Sequence, residues 1–377
     1  MLYLDHAATT PVMPEALKAA WPYLTEEFGN PSSVHEVGLR AKHALSWARQ
    51  TCADWLGAQP EEIIFTSGGT EANNLAIKGI ALANPRGKHI VSSPLEHEAV
   101  LSCLEYLKAF HGFEVTLLPV AADGQISASD LRAAIRPDTT LVTLMAANNE
   151  IGTVYPIAEF ASIAAEFGVP FHTDAVQGAG WLDLDVPTLG VQALSLSGHK
   201  FGAPKGSGLL YLNRRLEAEP VIHGGGQENG FRSGTQNVAW AVAISVALQQ
   251  LEPAGVSAAK AAAVTGSFID GVLSTVPFAQ LTGPTPDSGH RHPGITSFTF
   301  DGRNGETLLL ELENEGVVCS SGSACASGSD EPSHVLQALG LEYDLCRTAV
   351  RFSFDHNPNT DQAAVALAAL KTALARI

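Results

Sequence analysis

The chain has 377 residues, 45% apolar and 16% charged, which describes a folded globular protein too long for one ordinary core. Its formal net charge of −17 argues against direct binding to nucleic acid or to an anionic membrane, since those contacts need clustered Lys and Arg. The opening Met1-Leu2-Tyr3-Leu4-Asp5-His6 has no basic segment followed by an apolar stretch, and no run of 18 apolar residues occurs, so neither a secretory signal nor a membrane span is expected.

From residue 63 to residue 211 short β-rich runs alternate with helical stretches, the signature of βαβ units around a parallel sheet. A strand is expected at 63–66 and a helix over 71–82. Further strands are expected at 89–92, 114–117, 140–144, 170–173, 193–196 and 208–211. Residues 237–251 read as a long apolar helix, and Pro253-Ala254-Gly255 punctuates the chain after it. A large domain over 14–254 is therefore expected, with 1–13 and 255–377 forming a smaller α+β domain. Within that second part the pattern predicts a helix near 257–276, a strand at 295–300 and a helix at 306–315. A strand at 349–354 and a closing helix from Thr360 follow, where Ala363, Leu367, Leu370 and Leu374 recur at helical spacing.

Thr66-Ser67-Gly68-Gly69-Thr70-Glu71-Ala72-Asn73 joins a strand to a helix. Small residues there let the backbone approach a phosphate, whose charge the N–H groups of a helix start stabilise. A tight βα turn accounts for the same residues, and the Gly-Lys-Ser/Thr ending of a Walker loop is missing. Asp174, in His172-Thr173-Asp174-Ala175-Val176-Gln177, ends a strand at the carboxyl edge of the expected sheet, where open α/β proteins bind ligands. It reads equally as a helix N-cap with Gln177 as capping-box partner. Lys200 closes Ser197-Gly198-His199-Lys200, and a single lysine is commonly a solvated surface group. Together and in this order, the motifs match what an aldehyde cofactor with a pyridine ring requires. The lysine amine condenses with the aldehyde, and the carboxylate keeps the ring nitrogen protonated so that the ring accepts electrons. The pattern points to pyridoxal 5'-phosphate and to chemistry on amino acids.

Five cysteines, an odd number with no CxxC pair, fit a reduced, cytoplasmic protein with a working thiol better than a disulfide framework. Cys325 stands apart, because residues 320–328 are otherwise all Ser, Gly or Ala. Such a segment is expected to bury little and to be mobile and exposed. A thiol there suits a nucleophile that reaches a buried site and then presents its cargo outside; an inert loop cysteine is the plainer alternative. Cys319 is expected to end a strand, and packing suffices for Cys52, Cys103 and Cys346.

With these motifs the chain resembles the NifS/IscS-type cysteine desulfurases of the class V aminotransferase family. The resemblance runs from about Leu2 to near the end. It is carried further by Asp5-His6-Ala7-Ala8-Thr9-Thr10-Pro11, Glu96-His97, Asn148-Asn149-Glu150-Ile151-Gly152 and His223-Gly224-Gly225-Gly226. Arg232-Ser233-Gly234-Thr235, Ser320-Ser321-Gly322-Ser323-Ala324-Cys325 and Val350-Arg351-Phe352-Ser353 complete it. The likeness implies an α/β chain of fold type I among pyridoxal-phosphate-dependent transferases, the aspartate-aminotransferase-like fold. That fold has a large, mainly parallel sheet of the seven-stranded type and a smaller α+β domain carrying the Cys loop at about 320–333.

The same resemblance implies that Lys200 holds the cofactor, Asp174 pairs with the pyridine nitrogen and Gln177 bonds the phenolic oxygen. His97 is expected to stack on the ring face and to carry protons. Gly69, Thr70, Ser197 and His199 would contact the phosphate, joined by Thr235 from the other subunit of a homodimer. Asn149, which would also contact the cofactor, and Arg351 would receive the substrate, the guanidinium gripping its carboxylate. Apart from the resemblance, His97 reads as a core histidine and Arg351 as a strand arginine paired to an acid. L-Cysteine would give up its sulfur to Cys325, leaving alanine and a persulfide for a sulfur-acceptor protein such as an iron–sulfur scaffold or a sulfur carrier. No metal site of its own is implied, beyond a transient share of Cys325 in a cluster held by a scaffold. The stretch Phe352-Ser353-Phe354-Asp355-His356-Asn357-Pro358 departs from the Leu-Gly-Arg common in the family. A selenocysteine lyase or other β-eliminating enzyme, an aminotransferase and an inactive sulfur-transfer scaffold are the alternatives.

Overall fold

The computed structural model describes residues 1–83, 86–322 and 331–377. Cys325 lies outside the described residues. Twelve strands are found among them: β1 (Leu2–Tyr3), β2 (Ile63–Thr66), β3 (His89–Ser92), β4 (Glu114–Leu117), β5 (Thr139–Thr143) and β6 (Phe171–Asp174), then β7 (Ala193–Ser197), β8 (Gly208–Leu212), β9 (Ala279–Thr282), β10 (Ile295–Phe300), β11 (Val317–Val318) and β12 (Val350–Ser353).

Seven of them form one sheet in the order β2-β8-β7-β6-β5-β3-β4. The pairs from β4 through β3, β5 and β6 to β7 run parallel. By contrast, β8 is antiparallel to both β7 and β2, so the seven-stranded sheet is mainly parallel, as expected. The reason β8 turns back is the connection: only residues 198–207 separate β7 from β8, too few for the helical crossover that a parallel pair needs.

Successive strand residues enter opposite helical layers, as a pleated strand requires. Ile64, Ile90, Leu141 and Leu210 pack with Ala72, Leu75, Ile80, Val100 and Leu104 from the helices Gly69–Ala83 and Glu98–His111. Ile63, Val91, Val142 and Leu209 pack on the other side with Phe160, Ala243, Ile244 and Leu56. Burial on both faces explains why β3, β5, β6, β7 and β8 contain no exposed residue.

A second, antiparallel sheet has the order β12-β10-β9, with Phe268, Phe298, Phe352 and Phe354 packed edge to face at its centre. The helices Ala254–Thr275 and Gln362–Leu374 pack together beside it. The first begins at Ala254 with Pro253 as its N-cap residue, so the Pro-Ala-Gly punctuation opens a helix rather than a loop. Ala254–Thr275 is also long and apolar enough to cross a membrane, a property that counting uninterrupted apolar runs overlooks. Here its Ala261, Val264, Phe268, Ile269 and Val272 are buried in the second core. The N-terminus is strapped to this part of the molecule, β1 pairing with β11 and Asp5 bridging Ser353. Val335, Leu336, Cys346 and Ala349 nevertheless pack into the core of the large sheet.

Candidate active site

The ends of β6 and β7 and the start of the helix Gly69–Ala83 contribute to one cavity of about 470 Å³. Gly69, Thr70, His97, Asn149, Asp174, Gln177, Ser197, His199, Lys200 and Arg351 all line it.

Asp174 ends β6 and is 5% exposed. Its Oδ2 accepts from Asn73 Nδ2 at 2.6 Å and its Oδ1 from the Val176 amide at 3.0 Å. A turn rather than a helix follows, so the N-cap alternative does not hold. Gln177 is not its capping-box partner either, since its Nε2 donates to the Ala7 carbonyl at 2.9 Å.

Lys200 closes a single helical turn, Gly198–Lys200, directly after β7. Gly198 permits the turn because a Cβ there would lie 2.2 Å from Ser207 Oγ. The lysine is not a surface group: Nζ donates to the carbonyls of Ala7 at 2.6 Å and Ala8 at 2.9 Å. His199 beside it places Nδ1 3.1 Å from Thr9 Oγ1. Burial, helped by the charges of Lys200 and Lys205, pushes its pKa down to about 4, so the imidazole is neutral near pH 7.

At the start of the helix Gly69–Ala83 the first N–H groups lack intrahelical acceptors. Gly69 is buried, and a Cβ there would meet Val176 Cγ2 at 2.7 Å and Ser197 Cβ at 3.3 Å. Only glycine keeps that cradle open, and the Thr70 and Ser197 side chains and His199 line the same cavity. An amine, a buried carboxylate and an anion cradle therefore share one cavity, and this donor set fits pyridoxal 5'-phosphate. Lys200 would hold its aldehyde carbon, Asp174 its ring nitrogen and the Gly69–Thr70 helix start its phosphate.

His97 is the N-cap of the helix Glu98–His111, with Nδ1 accepting from the Ala99 amide at 3.0 Å. That bond assigns the proton of the neutral ring to Nε2. Arg351 is both things its sequence allowed, a cavity residue and a strand arginine paired to an acid. Its Nη2 donates to Asp5 Oδ1 at 2.8 Å, and its Nη1 donates to the Asn149 carbonyl at 2.8 Å and the Gly322 carbonyl at 3.1 Å.

Two carboxyls escaped the sequence reading. Glu96 is fully buried, its Oε1 accepting from the Met145 amide at 2.8 Å while Oε2 has no partner among the described residues. Burial, reinforced by the charge of Asp174, holds it well above the usual carboxylate range. Glu150 is raised by burial against the opposing pull of Ser333, His334, Arg351 and His97, and its Oε2 lies 2.5 Å from Ser333 Oγ. Asn73 was missed as well. It is a polar residue amid Ala72, Leu75, Ala76 and Ile77, all buried, and such a break in an apolar run signals a buried partner.

Thr235 is not brought to this cavity. It is exposed and lines a separate cavity of about 240 Å³ with Phe65, Glu228, Arg232 and Trp240. The four described cysteines are free thiols made less acidic by burial. Cys52 is pushed up to about 12 and Cys103 to about 11, and Cys319 and Cys346 are raised too. None of the four is poised as a thiolate. Among the described residues no group of three or more His, Cys, Asp or Glu side chains is arranged to hold a metal ion.

Comparison with known proteins agrees with this geometry. The chain matches the family Aminotransferase class-V over residues 2–365. It is 47% identical over 358 residues to the cysteine desulfurase IscS of Methanosarcina thermophila, with 93% of this chain and 86% of that protein covered. A solved NifS-like protein superposes with a TM-score of 0.91 at 32% identity, covering 100% of both chains. SspA, solved in complex with cysteine, superposes with a TM-score of 0.81 at 37% identity, covering 95% of this chain and 100% of that one. By sequence, by fold and by the groups gathered around Lys200, the chain belongs to the class-V aminotransferase family.

Proposed function

We propose that this protein is a pyridoxal-phosphate-dependent cysteine desulfurase, which moves the sulfur of L-cysteine onto Cys325 and releases L-alanine. The observation that carries the reading is a single cavity containing Lys200, Asp174 and Arg351. Its chain is 47% identical to a named cysteine desulfurase and shares its fold with a protein solved with cysteine.

When bound, pyridoxal phosphate supplies an electron-poor ring that accepts the electron pair left at the substrate Cα. Asp174, fixed by Asn73 and the Val176 amide, would face the ring nitrogen and maintain that electron demand. Arg351 takes the substrate carboxylate. The Lys200 amine would remove the Cα proton. His97, with its proton on Nε2, carries protons beside the reacting atoms. The Cys325 thiolate then attacks the substrate sulfur. The carbon–sulfur bond breaks, a sulfur–sulfur bond forms, and cysteine plus thiol become alanine plus persulfide. That exchange balances without an outside oxidant, and a sulfur-acceptor protein takes the outer sulfur by thiol exchange. A reducing cytoplasmic setting suits a thiol that must be regenerated in this way.

In this reading the protein works as a homodimer. Thr235 is exposed and does not line the Lys200 cavity of its own chain, which leaves it free to serve the cavity of a second copy. The helix Pro14–Thr25 also exposes Leu17, Trp21 and Leu24, a helical i, i+4, i+7 face that a second copy would cover.

Purified protein loaded with pyridoxal phosphate is expected to form one alanine for each sulfur released from L-cysteine, and Lys200→Ala is expected to form none. A keto acid in place of alanine, or no turnover by the native protein, overturns the proposal.

A further inference from the structure

Arg351 is the largest fully buried side chain among the described residues, and a guanidinium has five N–H donors to satisfy. Nη1 spends two on the carbonyls of Asn149 and Gly322, and Nη2 spends one on Asp5 Oδ1. Among the described residues Nε–H is buried without a partner, and by the same count one Nη2–H is left over. Unpaired buried donors are costly. Two of them on one guanidinium lining a cavity are the complement of a carboxylate.

Asp5 does not line that cavity, yet it is the acid that fixes the guanidinium, with side chains 18% and 1% exposed in the pair. Its own backbone is well held. Tyr3 Oη donates to the Asp5 carbonyl at 3.1 Å, and the Ala8 and Thr9 amides donate to it at 3.0 and 3.3 Å. Two residues further on, the carbonyls of Ala7 and Ala8 receive Lys200 Nζ. One short segment thus sets the arginine and the lysine relative to each other.

We infer that Asp5 is a positioning residue for substrate recognition: it holds Arg351 so that Nε–H and one Nη2–H remain for the α-carboxylate of the amino acid. The inference rests on the desulfurase reading for the identity of its substrate. Because Asp5 and Arg351 already cancel in charge, the carboxylate is gripped by hydrogen-bond geometry. Asparagine, which keeps Oδ1, therefore preserves the grip, whereas a side chain that cannot reach Nη2 loses it.

The test compares native holoenzyme with Asp5→Ala, Asp5→Ser and Asp5→Asn. Four constants are read: KM and kcat for L-cysteine, the inhibition constant of cysteamine, which has the amine and thiol but no carboxylate, and the dissociation constant of L-alanine from cofactor absorbance. Asp5→Ala and Asp5→Ser are expected to raise KM for cysteine and the L-alanine constant about tenfold. Both leave kcat and the cysteamine constant within about twofold, and Asp5→Asn stays within about threefold of native. Parallel weakening of cysteine and cysteamine, a fall in kcat matching the rise in KM, or an Asp5→Asn variant as weak as Asp5→Ala overturns the inference. The L-alanine titration needs no turnover. A native protein that binds L-alanine but leaves cysteine intact sinks the desulfurase reading, and the variants still decide the role of Asp5.

Discussion

Asn73 Nδ2 stands 2.6 Å from Asp174 Oδ2, across 101 residues of sequence, with both side chains buried. A carboxylate this deep keeps its charge only if donors face it, and the Val176 amide on Oδ1 completes the arrangement. The contact makes Asp174 an oriented, fixed carboxyl group. The ring nitrogen of a bound pyridoxal phosphate would need that of it.

Asp174→Asn preserves the shape of the side chain and removes its charge. Turnover of cysteine is expected to fall by about a hundredfold or more, because a bound ring would lose the charged partner of its nitrogen. Steady-state kcat together with cofactor absorbance checks this. A loss below about tenfold with the cofactor fully bound would contradict the assigned role.

Gly69→Ala places a Cβ 2.7 Å from Val176 Cγ2. Crowding of this size costs about 1–3 kcal/mol, and here it falls on the phosphate cradle. Cofactor affinity is expected to drop by about tenfold or more, while circular dichroism stays native. Titration of the stripped protein with pyridoxal phosphate reads the effect, and unchanged affinity would remove Gly69 from the cradle.

Acid sensitivity follows from buried neutral histidines. His172 lies between Thr143 Oγ1 at 2.8 Å and Ser195 Oγ at 3.0 Å, and burial pushes its pKa from 6.5 down to about 3. The unfolded chain therefore binds a proton there between about pH 6.5 and pH 3 that the folded chain refuses, so its contribution to stability declines as pH falls through that window. Glu96 and Glu150, raised by burial, act in the opposite sense: their contribution is present below the ordinary carboxyl range and lost as pH rises. Substituting His172→Gln isolates the histidine. The slope of unfolding free energy between about pH 4 and pH 6 is expected to flatten by about 1.4 kcal/mol per pH unit, one proton's worth. Urea unfolding at several pH values measures it, and an unaltered slope would contradict a neutral His172.

Much of the large sheet was legible because its strands are short apolar runs between turn residues, and β2, β3 and β4 fall on the stretches expected for them. The direction of β8 was not legible from composition, since a strand reads the same both ways. It follows from the short link between Ser197 and Gly208. Lys200, Asp174 and Gly69 announced themselves through local spacing. Asp5 did not, because its partner Arg351 lies 346 positions away and an ion pair leaves no periodic mark. Glu96 was equally silent: a buried carboxyl next to His97 looks in sequence like any solvated glutamate. Thr235 was tied to the site only through a second copy, and in the fold of one chain it opens onto a different cavity.

The most direct measurement is mass spectrometry of native protein and Cys325→Ala, each loaded with pyridoxal phosphate and incubated with L-cysteine. The expected result is one added sulfur on the peptide that contains Cys325 and none on the variant, which keeps its cofactor absorbance. Sulfur carried instead by Cys319 or another cysteine, or unimpaired desulfuration by Cys325→Ala, would contradict the assignment of the sulfur-accepting thiol.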